Sequence, residues 1–154
     1  MVTADGGLIV AGEHRLSVRV YYEDTDAVGV VYHANYLRFA ERARTEMLRC
    51  LGLEHGSLSA RFGLAFTVRR CLVDYLAPAR LDDRLEVRTS LARLGGASLN
   101  LEQRIVRDDR LLVRMDARLA LISPALRAVR LPQALIDALA PLRHGPAAKP
   151  GLGA

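Results

Sequence analysis

The sequence predicts one α+β domain in which a single long helix covers one face of an antiparallel sheet. Three observations lead to this fold class. The 154-residue length suits one domain, and a chain of this size buries roughly 70% of its unfolded surface. One segment repeats apolar residues at helical spacing, and the segments that follow alternate apolar and polar residues between tight turns. Because one helix can cover only one face of such a sheet, the arrangement is α+β rather than layered α/β.

The N-terminal part is predicted to contain a tail and one strand. Residues 1–13 are small, contain glycine and lack periodicity, so we expect a disordered tail. Residues 16–22 read L-S-V-R-V-Y-Y, an alternation typical of a half-buried strand. This strand ends at an acidic turn that contains Asp24 and Asp26.

The long helix is predicted to begin near His33 or Ala34 and to end at Leu51, with Gly52 as its C-terminal stop. Its apolar residues recur every three or four positions, which predicts one buried stripe along the helix. The stripe consists of Tyr36, Ala40, Ala43, Met47, Cys50 and Leu51. The helix should therefore pack on the sheet through this stripe.

The second half of the chain is predicted to be a strand meander. A loop at 54–62 leads into strands at 64–75, 85–94, 97–106 and 111–122, which are joined by turns at the glycine and aspartate pairs. A short helix is expected from Pro132 to Ala140. Residues 143–154 are rich in Pro, Gly and Ala and are predicted to be a disordered tail. The folded domain should therefore cover 14–142.

Composition argues against several classes of protein. The net charge is +5, but 21 of the 22 basic residues are arginines, scattered along the chain, and aromatic residues make up only 5%. A nucleic-acid surface would cluster basic and aromatic residues, so no nucleic-acid partner is expected. No apolar run approaches the roughly 18 residues of a membrane span, and no export signal is visible. Cys50 and Cys71 lack metal-ligand spacing and are expected to be reduced thiols of a cytoplasmic protein.

The acidic turn is the segment in which we expect the chemistry. Residues 21–44 read YYEDTDAVGVVYHANYLRFAERAR and pass from a strand through a turn into the helix. Such a turn presents carboxylates beside free helix N–H groups, so a carboxylate and an oxyanion donor can meet one substrate carbonyl. Asp24 and Asp26 are also well suited to capping a turn or the helix start. Gly29 is expected to serve backbone conformation or close approach of the substrate.

The spacing D-T-D-A-V-G-V-V-Y-H-A-N-Y, from Asp24 to Tyr36, resembles the signature of the hotdog-fold acyl-CoA thioesterases of the 4-hydroxybenzoyl-CoA thioesterase class, and most of all their Tol–Pal-associated subgroup. The segment YLAPARLDDRLEV at 75–87 is similar as well. This resemblance implies a hotdog fold, an antiparallel sheet wrapped around one long central helix, which pairs into a homodimer or homotetramer. It implies hydrolysis of an acyl-CoA to a free acid and CoA. Coenzyme A is then part of the substrate, and no metal or separate cofactor is expected.

The resemblance also implies roles for residues of the turn. Asp26 would be the nucleophile or the general base, and the backbone N–H of His33 would polarise the thioester carbonyl. The His33 side chain has two possible roles. It either contacts the carbonyl or the sulfur, or it has only a local role at the helix start. Tyr32 and Tyr36 are packing residues or line the acyl pocket.

Further candidates lie outside the turn. Glu41 is beside the apolar stripe, where an unpaired carboxylate would be costly, so it either pairs with an arginine or faces the substrate. Arg70, Arg93 and Arg130 are candidates for binding the coenzyme phosphates, because guanidinium groups bind phosphate through a two-pronged fork. Their placement follows from the resemblance and is approximate.

Three other functions stay open at this point. The acyl group could be carried by acyl carrier protein instead of coenzyme A. A hotdog hydratase or dehydratase uses a different Asp/His arrangement, and the D-T-D-x-x-G-V-V-Y-H pattern counts against it. A non-catalytic acyl-binding protein linked to envelope maintenance would bind acyl-CoA without turnover.

Overall fold

The computed structural model describes residues 6–53 and 55–142, which form one six-stranded antiparallel sheet and three α-helices. The strands are β1 Leu8–Val10, β2 Glu13–Arg19, β3 Ala65–Tyr75, β4 Arg84–Leu94, β5 Ser98–Arg107 and β6 Arg110–Ile122. The helices are α1 Asn35–Cys50, α2 His55–Phe62 and α3 Gln133–Ala138. The strand order is β1-β2-β4-β5-β6-β3, which leaves β1 and β3 at the two edges.

Helix α1 packs on one face of this sheet, which we call the inner face. Val87, Leu101 and Met115 are fully buried there. Phe39 of α1 is only 1% exposed against them. Alternation places the intervening strand residues on the opposite, outer face. The predicted α+β class and the sheet wrapped around one long helix are confirmed.

The predicted end of α1 is confirmed by its capping geometry. Gly52 has a φ of 71°, a conformation that glycine adopts without strain. The Gly52 N–H donates to the Arg49 carbonyl at 3.0 Å, and the Leu53 N–H donates to the Leu48 carbonyl at 2.7 Å. This pair of bonds is the Schellman arrangement that satisfies the last helical carbonyls. The helix starts one or two residues later than predicted, at Asn35.

The prediction of a disordered tail over 1–13 is wrong for residues 8–13. Residues 8–10 form β1, which pairs with β2 through a two-residue loop. Ala11 and Gly12 both have positive φ, as in the type I′ turns of tight hairpins. The Ala-Gly pair lacks the usual Asn-Gly or Asp-Gly signal of such a turn, which is why the sequence suggested no hairpin. Residues 1–5 and the predicted tail at 143–154 lie outside the described residues.

The predicted loop at 54–62 is also wrong, because residues 55–62 form α2. Gly56 and two serines make this segment a weak helix former by intrinsic propensity. Leu58 is nevertheless buried to 1% exposure in the same apolar cluster as Leu53. Tertiary burial of one leucine therefore outweighs local preference here. Within the described ranges, no helix is long and apolar enough to cross a membrane.

The N-terminal hairpin contains a buried histidine that should make stability depend on pH. His14 is fully buried, and its Nε2 lies 2.9 Å from the Gly6 carbonyl, while its Nδ1 has no partner in the described residues. Burial lowers the pKa of His14 below 6.5, and the hydrogen bond to Gly6 and the nearby Glu46 only partly oppose this. The unfolded chain therefore binds the proton more readily, so stability is lost as pH falls below about 6.5. Urea unfolding between pH 7.5 and 5 should show this loss.

A control distinguishes His14 from other groups that titrate in the same range. In His14→Phe the slope of unfolding free energy against pH should flatten between pH 7.5 and 5, whereas His33→Gln should keep it, because the His33 side chain is exposed. An unchanged slope in the His14 variant would contradict this account.

Candidate active site

The segment between β2 and α1 is folded back on itself and held across the start of the helix. A bridge pairs Thr25 with Val31. On one side of this bridge the Asp26 N–H donates to the Val30 carbonyl at 2.9 Å, and on the other the Tyr32 N–H donates to Asp24 at the same distance. The acidic residues and the residues just before α1 therefore belong to one closed loop, as the sequence predicted.

Asp26 opens a tight turn at the tip of this loop. The Gly29 N–H donates to the Asp26 carbonyl at 3.0 Å, and Asp26 Oδ1 accepts the Val28 N–H at 2.9 Å. Gly29 has a φ of 84°, a conformation that glycine adopts without strain, and its approach to the substrate stays a prediction. No other residue in the described ranges hydrogen-bonds the Asp26 carboxylate, which is exposed. Asp26 thus caps its own turn with one oxygen and presents the other to solvent.

Asp24 makes hydrogen bonds that hold the loop together. Its Oδ2 accepts the Tyr21 N–H at 2.8 Å and caps the short 3-10 turn at Tyr22–Asp24. Its backbone carbonyl also accepts from the Asn35 side chain at 2.9 Å. These bonds join the loop to the first residue of α1, and the other carboxylate oxygen of the half-buried Asp24, Oδ1, has no partner among the described residues.

His33 presents a free backbone donor at the start of α1. Its carbonyl accepts the Tyr75 hydroxyl at 3.0 Å, and its ring packs against Tyr32 with centroids 4.5 Å apart. Among the described residues, the His33 N–H has no hydrogen-bond acceptor. The helix N-cap, Ala34, provides no side-chain cap either. The positive end of α1 is therefore unoccupied by the chain's own carboxylates and can polarise an external oxygen.

An apolar cavity of about 290 Å³ opens beside His33. It is lined by Val31, His33, Tyr36, Tyr75, Leu76, Ala77 and Pro78. Tyr36 is 3% exposed and its hydroxyl accepts the Ala79 N–H at 3.0 Å, so it is both a core residue and a wall of the cavity. Burial raises the pKa of the Tyr36 phenol, which keeps it neutral. Tyr32 is 47% exposed and lies outside this lining.

Glu41 lies elsewhere, at the open groove between α1 and β3. It is exposed and lines a depression of about 230 Å³ together with Arg44, Phe66 and Val68. Its side chain forms no hydrogen bond or ion pair with another described residue, but burial lowers the pKa of the neighbouring Arg44 and the charge of Glu41 partly opposes this. Helix geometry places it roughly 9 Å along the axis from Asn35. Its proposed substrate contact stays a prediction.

The three predicted phosphate-binding arginines are on or near the outer face, away from α1. Arg93 lines a cavity of about 370 Å³ there, and Arg70 pairs in register with Arg118 beside it. Arg130 Nη2 lies 4.0 Å from the position that a Cβ on Gly96 would take, at the same cavity. Sequence reasoning missed Arg69 and Arg118, which also line it. The structure therefore brings two groups of candidate residues together on opposite faces of the sheet.

Comparison with known proteins assigns the family. Residues 28–114, more than half of the chain and including His33 and all of α1, match the model of the thioesterase superfamily. The chain belongs to this superfamily. Among thioesterases, the acyl-CoA thioester hydrolase YbgC of Escherichia coli is 54% identical over 99 residues, which are 64% of this chain and 73% of that protein. The acyl-CoA thioesterase YbgC of Haemophilus influenzae is 48% identical over 105 residues, 68% of this chain and 77% of that one.

Solved thioesterase structures agree with this assignment. The crystal structure of a probable thioesterase from Bartonella henselae is 39% identical, with a TM-score of 0.75, and covers 78% of this chain and 99% of that chain. The predicted family and hotdog fold are thus confirmed by sequence and by structure.

Proposed function

We propose that this thioesterase hydrolyses acyl-CoA thioesters to a free acid and CoA. The observation that carries the proposal is the closed loop, which joins the Asp26 turn to the free His33 N–H, and His33 lines an apolar cavity. The names of its YbgC relatives support the same activity.

In the proposed reaction the thioester carbonyl oxygen accepts the His33 N–H, and the acyl chain enters the apolar cavity. As the carbonyl carbon is attacked, negative charge develops on that oxygen, where the N–H and the positive end of α1 stabilise it. The carbon–sulfur bond then breaks and the coenzyme leaves as a thiolate. A thiol pKa of about 8.5 makes this a good leaving group that needs little acid assistance. In this proposal the His33 imidazole, which is exposed, supplies a proton to the sulfur as it departs.

Asp26 has two routes to the carbonyl carbon. Its free oxygen either attacks directly to form a mixed anhydride, which water then hydrolyses, or it removes a proton from an attacking water molecule. Label in the aspartate after a single turnover in heavy-oxygen water would identify the anhydride route, because it enters only if water opens an anhydride at the aspartyl carbonyl. Neither route uses a metal or redox cofactor, and coenzyme A is part of the substrate.

We also propose that the active form is a homodimer or homotetramer assembled through β3. This edge strand exposes side chains on both faces, including Val68 at 48% and Leu72 at 52%. Pairing with a second copy would give the free backbone N–H and C=O groups of this edge hydrogen-bond partners and would cover these residues. Sedimentation equilibrium should give at least twice the 16.9 kDa chain mass, and a monomer at assay concentration would contradict the assembly. The two free cysteines suit a cytoplasmic location.

The test is a panel of acyl-CoAs of different chain length, including an aromatic one, assayed by release of free thiol. Acyl-CoA hydrolysis above that of the Asp26→Asn variant supports the proposal. Faster hydrolysis of the matching acyl carrier protein thioesters would favour the alternative carrier. Tight acyl-CoA binding without turnover would instead identify a non-catalytic acyl-binding protein linked to envelope maintenance.

A further inference from the structure

The free His33 N–H belongs to a segment that is bonded to the chain beyond β3. The Val31 N–H donates to the Ala79 carbonyl at 2.9 Å, and Val30 forms a bridge with Arg80. These bonds hold the residues before His33 but do not reach His33 itself. A separate contact, made by the last residue of β3, holds His33.

Tyr75 ends β3 and contacts His33 through both its hydroxyl and its ring. The hydroxyl donates to the His33 carbonyl at 3.0 Å, and the two rings meet edge to face with centroids 6.3 Å apart. The Tyr75 ring also lies 5.8 Å from the ring of Tyr36. Aromatic rings at such separations attract each other beyond the effect of their burial. Tyr75 therefore joins the edge strand to the start of α1.

The His33 carbonyl receives no hydrogen bond from the helix that follows it. In a regular α-helix the N–H four residues later, here that of Leu37, would donate to this carbonyl. The Leu37 N–H donates instead to the Ala34 carbonyl, at 3.2 Å. Among the described residues, the Tyr75 hydroxyl is the only donor to the His33 carbonyl. Loss of this hydroxyl would leave the carbonyl free to turn towards the helix or towards water.

Two hydrogen bonds fix the backbone on either side of the His33 α-carbon. The Tyr32 carbonyl, which shares its peptide unit with the His33 N–H, accepts the Asn35 N–H at 2.8 Å. The His33 carbonyl, in the next peptide unit, accepts the Tyr75 hydroxyl. Peptide units are planar and rotate only about two dihedral angles at each α-carbon. These two bonds together therefore restrict the direction of the free N–H.

We propose that Tyr75 is a positioning residue for the oxyanion donor. Its hydroxyl holds the His33 main chain in the conformation that leaves the N–H free, so that little reorganisation is needed as negative charge develops on the substrate oxygen. Tyr75 and His33 both line the apolar cavity, so this hydrogen bond lies where the acyl group is expected to bind. This role rests on the hydrolysis proposed above and adds a residue of β3 to its machinery.

The test compares the wild type with Tyr75→Phe, which keeps the ring and removes only the hydroxyl. The kcat for acyl-CoA hydrolysis should fall about 10-fold, a part of the roughly 10²- to 10³-fold effect of losing one oxyanion donor outright. KM should stay within about 2-fold, because this donor acts mainly in the transition state. Tyr21→Phe removes an exposed hydroxyl between β2 and α1 and should leave both parameters within about 2-fold.

Two further readouts separate positioning from a structural role and from substrate contact. Tyr75 is 48% exposed, so exchanging water can replace its hydroxyl at the His33 carbonyl, and the Tm of Tyr75→Phe should stay close to that of the wild type. The phenyl ring keeps the cavity wall, so the ratio of kcat/KM between a long and a short acyl-CoA should also be unchanged. A large drop in Tm, or a changed ratio, would contradict the positioning role.

The effect of Tyr75 on His33 can also be measured without turnover. Backbone amide relaxation by NMR should give His33 an order parameter near the roughly 0.85 of rigid backbone in the wild type and in Tyr21→Phe, and a clearly lower one in Tyr75→Phe. An unchanged order parameter, or a kcat within about 2-fold in Tyr75→Phe, would overturn the positioning role. Absence of hydrolysis by the wild type would instead overturn the proposed function, and the relaxation measurement would still decide whether Tyr75 fixes His33.

Discussion

Replacing Asp26 with asparagine is expected to lower kcat for acyl-CoA hydrolysis by at least about 100-fold, the effect typical of losing a general base or nucleophile. The substitution removes the negative charge but keeps a carbonyl oxygen that can accept the Val28 N–H. The turn should therefore persist, with an unchanged Tm. Thiol release under substrate saturation, together with a thermal melt of each variant, measures both quantities.

Two matched substitutions make the result specific. Asp108→Asn removes a carboxylate at the β5–β6 turn and should leave kcat unchanged, because asparagine tolerates the positive φ of 48° there. Asp24→Asn should also retain most activity, since its side chain accepts one backbone bond that asparagine can keep. Near-normal turnover in Asp26→Asn would remove this residue from its proposed role and leave it as a turn cap.

Replacing Gln103 with leucine is expected to destabilise the protein by about 3 kcal/mol, because it leaves buried polar groups without partners. Gln103 is fully buried on the inner face. It accepts from Arg44 at 2.8 Å and donates to the Ala40 carbonyl at 3.0 Å and to Thr89 at 3.1 Å. This residue joins α1 to the centre of the sheet. Urea unfolding of the variant measures the loss.

A double-mutant cycle shows where the cost arises. Adding Arg44→Met removes the guanidinium that Gln103→Leu leaves unsatisfied, so the double variant should recover part of the lost stability. Gln133→Leu serves as the surface control. Gln133 is exposed on α3, and among the described residues its side chain bonds only Asp137, at 2.9 Å, so its loss should cost less than about 0.5 kcal/mol. Equal effects of the Gln103 and Gln133 substitutions would show that the buried network contributes little.

The local sequence pattern was sufficient to predict the elements whose structure depends on one continuous segment. The apolar stripe from Tyr36 to Met47 predicted α1, and Gly52 predicted its end. Both features depend on residues close in sequence, since the stripe repeats along one helical face and the glycine takes the left-handed conformation of the cap. The acidic turn was likewise predictable, since Asp26 and Gly29 are the residues that such a turn requires. Asp24 and Asp26 lie two positions apart and each accepts one backbone N–H through its carboxylate, so the structure distinguishes them by exposure: Asp24 is half-buried and Asp26 is exposed.

The cavity lined by Arg69, Arg93 and Arg118 is a feature that the local sequence pattern does not predict. Arg70 was the sequence candidate, but the β3 bulge places Arg69 in the cavity wall. Arg93 and Arg118 come from different strands and meet across Asn100 only through the register of three strands. Register depends on turns and bulges that shift all the residues after them, and a one-residue shift exchanges the faces.

The sequence by itself therefore determined the long helix, the alternating strands after it and the loop that carries Asp26 and His33. Tertiary structure decided that residues 8–10 join the sheet, that α2 forms and that three arginines line one cavity. The physical reason is the range of the interactions. Periodicity and turn chemistry act between residues within one element, whereas burial of Leu58 and the meeting of Arg93 with Arg118 depend on contacts between separate elements.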